Sequence, residues 1–150
     1  MVATMVPAMP ALPRCQGMDD VNGDQQHDDA IAQAIAVMER HMAALNASDQ
    51  AGMTAELHFP HYRLSQGRLQ TWSGPDSYLA DFLARAGEGW HHSAWDFRRP
   101  IAASHDKVHL DVQFTRYRAD GSPLGTFRSI WVIAKLNGRW GAQLRSSFAA

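Results

Sequence analysis

From Val108 to Phe148 the chain reads as three strands, with a loop at "ADGSPLG" after the first and the dipeptide Asn137-Gly138 after the second. In Val108–Arg118, the residues Val108, Leu110, Val112 and Phe114 alternate with His109, Asp111, Gln113 and Thr115. A period of two is that of a strand with one buried face. Asn-Gly favours a two-residue turn with positive φ, which joins neighbouring antiparallel strands. It sits between Thr126–Leu136 and Trp140–Phe148, the second carrying Trp140, Ala142, Leu144 and Phe148 on one face. Another strand reads at Trp90–Ile101. Such a segment folds as an antiparallel meander and needs a partner layer to cover its apolar face.

That layer comes from the first half. Ile31, Ile35, Met38, Met42 and Leu45 recur at helical spacing within Asp28–Asn46, and Asp28 and Asp29 complement the dipole at its start. "NASD" breaks the helix, and Ser48 or Asp49 caps a shorter one carrying Met53 and Leu57. His61 to Trp72 is extended and turn-rich. "SGPD" predicts a third helix, with Ser73 as cap and Pro75 in its first turn; Tyr78, Leu79, Phe82 and Leu83 form its apolar stripe and Gly87 stops it. Helices followed by a meander make an α+β domain over residues 28–150. Residues 1–27, rich in Pro, Gly, Asp and Gln and without periodicity, read as a disordered extension, with Met18 as an alternative start.

Composition narrows the function classes. Net charge is -1 with histidines neutral, and the arginines are dispersed along the chain, so no basic footprint for nucleic acid is expected. Cys15 is the only cysteine, which excludes an intrachain disulfide and fits a cytoplasmic setting. No apolar run approaches the roughly 20 residues of a membrane-spanning helix, so no membrane partner is expected. No P-loop, dinucleotide fingerprint or nucleophile elbow is present, and no cofactor is expected.

"ERHMAALNASDQAGMTAEL", Glu39–Leu57, resembles the opening of nuclear transport factor 2-like domains, the superfamily of ketosteroid isomerases, SnoaL-like polyketide cyclases and scytalone dehydratases. The element order and the ending "NGRWGAQLRSSF", Asn137–Phe148, resemble it as well, over roughly residues 28–148. The resemblance implies a cone: a curved antiparallel sheet wrapped around the first helix, with a pocket at the wide end for a small apolar or carbonyl-containing ligand. It also implies pairing into a homodimer through the convex sheet face, where Trp95 or Phe97, Tyr117 and Phe127 could supply apolar area. Ketosteroid isomerases use a tyrosine on the first helix, an aspartate base on the first strand and a protonated aspartate on a later strand. These positions fall here on His41, on Ser65, and on Trp131 or Val132. The isomerase triad is absent, which leaves histidine as the acid–base group of any isomerase, dehydratase or cyclase chemistry.

The candidate residues follow. His41 stands on the flank of the first helix's apolar stripe, where an imidazole near neutrality can act as acid or base; the bland alternative is a core-edge histidine bonded to a carbonyl. In "HFPHYRLSQGR", His58–Arg68, strand parity places His61, Arg63 and Ser65 on one face and Tyr62 and Leu64 on the other. Hydrophobicity alone turns Tyr62 and Leu64 inward; the gap-free match to Ser65 turns His61 and Arg63 inward instead. His41 and His61 are the catalytic candidates, and His58, Arg63, Ser65, Arg128 and Trp131 the ligand-binding ones. Arg128 is included because it shares parity with Ile130 and Val132, whereas Arg116 and Arg145 read as exposed sheet arginines covering apolar surface with their stems. Eight histidines raise the question of a metal, through His58-x2-His61 with His91-His92 or His41. Neither HExxH nor paired cysteines occur, and no metal site is expected.

Overall fold

In the computed structural model, which describes residues 21–150, the apolar stripe of the first helix is enclosed by a sheet. Helix α1 spans Val21–Asn46, and its Ala30, Ala34, Val37, Met38, Met42 and Leu45 are buried, at the three- and four-residue steps that put them on one face. It begins ahead of the Asp28 start read from periodicity. Of the proposed extension, residues 1–20 lie outside the described residues. Helix α2, Gln50–Ala55, is capped by Asp49, whose carboxylate accepts from the Gly52 N–H.

Strands β1 (Leu57–Ser65) and β2 (Arg68–Trp72) form a hairpin turning at Gln66-Gly67, both at positive φ. Helix α3 is Tyr78–Ala86, later than read: its N-cap is Ser77, not Ser73, and Pro75 lies outside it. The Ser77 hydroxyl donates to Asp81 rather than capping the backbone. Gly87 ends the helix as expected, at positive φ with its N–H on the Leu83 carbonyl. Four long strands follow: β3 (His92–Ala103), β4 (Lys107–Tyr117), β5 (Pro123–Leu136) and β6 (Arg139–Ser147).

The six strands form one curved, unclosed sheet in the order β2-β1-β6-β5-β4-β3. All neighbours are antiparallel except β1 and β6, which run parallel. Helix α1 lies against the concave face, touching β3 to β6, where Val108, Leu110, Val112, Trp131, Ile133 and Ala142 are buried. The α+β architecture is the expected one. Among the described residues no helix is long and apolar enough to cross a membrane.

One irregularity in β6 governs everything downstream of it. Ile133 pairs with Ala142 but Val132 pairs with Leu144, so Gln143 is an extra residue opposite no partner. A one-residue bulge exchanges the faces beyond it. Ala142 is therefore inside, Leu144 is outside, and Arg145 and Ser147 point back into the concave face. The expectation that Leu144 and Phe148 share the inner face with Ala142 is corrected, and so is the exposed placement of Arg145, which is buried at 7 % exposure.

Candidate functional site

Inside the wide end of the sheet lies a cavity of about 50 Å³, lined by residues of α1, α2, α3 and five strands. Aromatic rings make much of its wall: Tyr78, Phe82, Trp95, Phe114 and Trp131. They meet mostly edge to face, as in Trp95 on Trp131 and Trp95 on Phe114, an arrangement that fixes ring positions. Free space on this scale takes a group of a few atoms; a larger ligand must extend toward solvent. A groove along β2 adjoins the cavity, and Arg63 and Arg85 line both.

Three polar side chains from three elements converge at the inner end. Arg145 Nη1, from β6, donates to Tyr78 Oη at 2.5 Å. His41 Nε2, from α1, lies 3.5 Å from the same oxygen, with its ring edge-on to Trp131. His41 is buried, and its pKa is lowered to about 3, first by desolvation and then by the Arg145 charge. At neutral pH it is an uncharged imidazole that accepts at one nitrogen and donates at the other. Helix α1 presents His41 here because it lies beside Met42 and Leu45 on the stripe that faces the sheet.

His61 is near this group but not on the cavity. Its ring is packed between Trp72 and Tyr78 at 0 % exposure, with Nδ1 on the Ala142 carbonyl at 3.0 Å. Nε2 is buried without a hydrogen-bond partner among the described residues. Burial, then the charge of Arg145, lowers its pKa to about 2. Its ring packs edge-on against Tyr78 and does not line the cavity. His58 is farther away: Nε2 donates to the Ala134 carbonyl at 2.8 Å, and Nδ1 accepts from Arg139 Nη2 at 3.0 Å. Both nitrogens are satisfied at the β5–β6 turn, where a Cβ on Gly141 would come within 3.1 Å of the ring. His58 lines neither the cavity nor the groove.

Strand β1 turns as the match to Ser65 required: His61, Arg63 and Ser65 are buried, while Leu64 is exposed. Arg63 Nη2 and Ser65 Oγ both donate to the Ala149 carbonyl at 2.6 Å. Arg63 lines the cavity, whereas Ser65 lines only the groove. Trp131 is in the cavity wall, its buried Nε1 without a partner among the described residues.

Arg128 is not brought to the site. It lies on the convex face, in a bidentate pair with Asp111 and over the ring of Phe97. Its parity with Ile130 and Val132 is real, but that parity faces outward, Ile130 being 45 % exposed. Two residues proposed for the outer face are likewise corrected. Trp95 is in the cavity wall with its Nε1 on the Met38 carbonyl, and Phe127 lies under the Arg116 guanidinium beside Phe114.

Sequence reasoning missed Tyr78 as a polar group, and Arg85, Arg116 and Arg145 as cavity residues. Arg116 had a readable signal, since it keeps the parity of Val108, Leu110, Val112 and Phe114. Its charge argued for solvent and parity prevailed. Among the described residues no three His, Cys, Asp or Glu side chains come together as a metal site.

No family model matches the chain, and no curated protein does. Solved structures do. A nuclear transport factor 2-like protein with a cystatin-like fold from Novosphingobium aromaticivorans superposes with a TM-score of 0.67 at 13% identity, covering 89% of this chain and 92% of the other. A putative scytalone dehydratase from the same organism gives 0.61 at 12% identity, over 85% and 88%. A ketosteroid isomerase-like protein from Erwinia carotovora atroseptica gives 0.62 at 16% identity, over 81% and 97%. Identities this low establish the fold and nothing finer.

Proposed function

We propose that this chain, whose fold is nuclear transport factor 2-like, is a small-molecule pocket protein that performs cofactor-free proton transfer on a carbonyl compound, as in an isomerisation, dehydration or cyclisation. The observation that carries the reading is the convergence of His41 and Arg145 on Tyr78 Oη inside an aromatic-walled cavity. The Tyr78 hydroxyl, oriented by Arg145, donates to the carbonyl oxygen of the ligand. Neutral His41 takes the proton from the adjacent carbon, and the charge left on the enolate oxygen lies next to the Arg145 cation. That negative charge offsets one of the two causes holding the His41 pKa down, so the base strengthens as the enolate forms. Return of the proton to a different carbon completes an isomerisation. His61, placed behind Tyr78, orients that ring and has no direct part in the chemistry.

The rival reading is a non-catalytic ligand-binding module, and the low pKa of His41 favours it, because so weakly basic an imidazole is a poor proton acceptor. Exchange of α-protons in deuterated water, followed by NMR over a set of small enolisable ketones, separates the two. Acceleration by the wild type that is lost in His41→Gln and Tyr78→Phe supports catalysis. Binding without exchange assigns the module. A homodimer in the cytoplasm is part of the same proposal. Its support is the row Tyr62, Leu144 and Val132, which register places side by side across the convex face, next to exposed Leu64 and Ile130.

A further inference from the structure

Four arginines line the cavity, Arg63, Arg85, Arg116 and Arg145, and among the described residues no Asp or Glu does. None of the four forms a salt bridge with any carboxylate side chain among the described residues. Arg116 is buried at 5 % exposure; among the described residues its Nε has no partner and its Nη2 donates to one atom, the main-chain oxygen of Ala150, at 3.3 Å. Arg85 has buried Nε and Nη1 atoms without partners and makes no hydrogen bond among the described residues. Arg63 has the Ala149 carbonyl and Arg145 the Tyr78 hydroxyl. A guanidinium carries five N–H donors, so most of the donor capacity around this cavity is unused.

Aromatic faces hold the guanidinium groups in place. Arg116 lies 5.0 Å from the Phe127 ring centroid and 5.5 Å from that of Phe82. Arg85 is 5.7 Å from that of Trp72, and Arg145 is 4.9 Å from that of Trp131. Stacking of this kind positions a cation but supplies neither an acceptor atom nor a full counter-charge. The charges also repel one another. The pKa of Arg63 is lowered to about 10 and that of Arg85 to about 9, in each case by burial first and the Arg145 charge second. Cations clustered in partial burial with no carboxylate side chain paired to them are costly for folding alone, and an anion between them offsets that cost.

We infer that the arginine-walled end of the cavity binds the carboxylate of a small organic acid, the body of the ligand lying against the aromatic wall and pointing its reactive carbon at His41. The inference rests on reading this cavity as the ligand site, and it names the class of ligand: an acid rather than a neutral ketone. Planar guanidinium groups match a carboxylate two bonds at a time. The cavity is of a size for such a head group, and Arg63 and Arg85 stand where it would enter from the groove.

The test measures binding by calorimetry and thermal shift for formate, acetate and benzoate, against formamide, acetamide and benzamide, at constant ionic strength. Inorganic phosphate is run in parallel. The carboxylates should bind roughly tenfold or more tightly than their amides. Arg116→Gln and Arg85→Gln should each weaken carboxylate binding by about tenfold while leaving the melting temperature of the ligand-free protein unchanged or raised, because each relieves repulsion. Equal binding of acids and amides, carboxylate binding indifferent to both substitutions, or no carboxylate effect at tens of millimolar would overturn the inference. Stabilisation by phosphate but not by carboxylates would overturn it too. Tyr78→Phe separates this from the proton-transfer reading, since it should abolish exchange and keep carboxylate binding. Arginine-dependent carboxylate binding by a wild type that exchanges no protons sinks the chemistry and leaves the ligand class standing.

Discussion

Arg145 Nη1 lies 2.5 Å from Tyr78 Oη, and this is the one hydrogen bond its buried guanidinium makes among the described residues. The bond joins the last strand to the third helix across the cavity, so it orders the site and helps close the fold. Tyr78→Phe leaves a buried cation without its acceptor and should cost about 1–3 kcal/mol, read from urea unfolding with an unchanged m-value. Arg145→Met removes the cation itself and should cost less than Tyr78→Phe, because an uncompensated charge disappears with the bond. The reverse order would show that Arg145 is anchored by something other than Tyr78.

Stability should fall on mild acidification. The folded-state pKa values of His41 and His61 are lowered to about 3 and about 2 from 6.5. Below pH 6.5 the unfolded chain binds protons that the folded chain refuses. The contribution of these histidines is therefore complete above pH 6.5 and is lost as pH falls toward 3. The slope should approach about 1.4 kcal/mol per pH unit for each histidine. Chemical denaturation between pH 7 and 5, before most carboxylates titrate, measures it; His41→Gln should remove one histidine's share.

His61→Ala should behave as a core truncation. The ring is fully buried between Trp72 and Tyr78 and bonded to the Ala142 carbonyl. Its loss leaves a cavity and an unpaired acceptor, costing about 2–4 kcal/mol. Ligand affinity measured well below the melting temperature should change little. A large loss of affinity at unchanged stability would return His61 to the ligand site.

The convex face should carry the dimer contact. Leu144→Lys places a charge in the centre of the row that Leu144 forms with Tyr62 and Val132. Light scattering should show the wild type as a dimer at micromolar concentration and the variant shifted toward monomer. A wild type that is monomeric throughout that range rules out this contact.

The parts of the fold legible in the sequence were those that a regular period controls. The α1 stripe, the meander and the Gly87 stop each follow from local spacing or a special backbone conformation. The inward turn of Arg63 and Ser65 came from register alone, against hydrophobicity, which had favoured Tyr62 and Leu64. Arg128 was misplaced because both faces of β5 are apolar: Ile130 and Val132 read as core although they cover the convex side. His61 faces inward as read, yet the position of Tyr78 decides that it meets a neighbouring ring instead of the cavity. A helix and a strand that are distant in sequence settle that, and no local pattern reports it. Arg85 lies one turn after Phe82 on α3, and nothing in its neighbourhood distinguished it from a solvated charge.

The extra residue at Gln143 separates the length of β6 from the identity of its lining. Ala142 already pairs with Ile133 and Leu144 with Val132, so a strand shortened by that one residue would run regularly with Leu144 still outside and Arg145 still inside. A strict period of two read through Gln143 does the opposite, exporting Arg145 and importing Leu144. A gap-free comparison of this strand with one lacking the extra residue would therefore pair lining residues with surface ones, and the charge of the pocket would be misread from an otherwise similar strand.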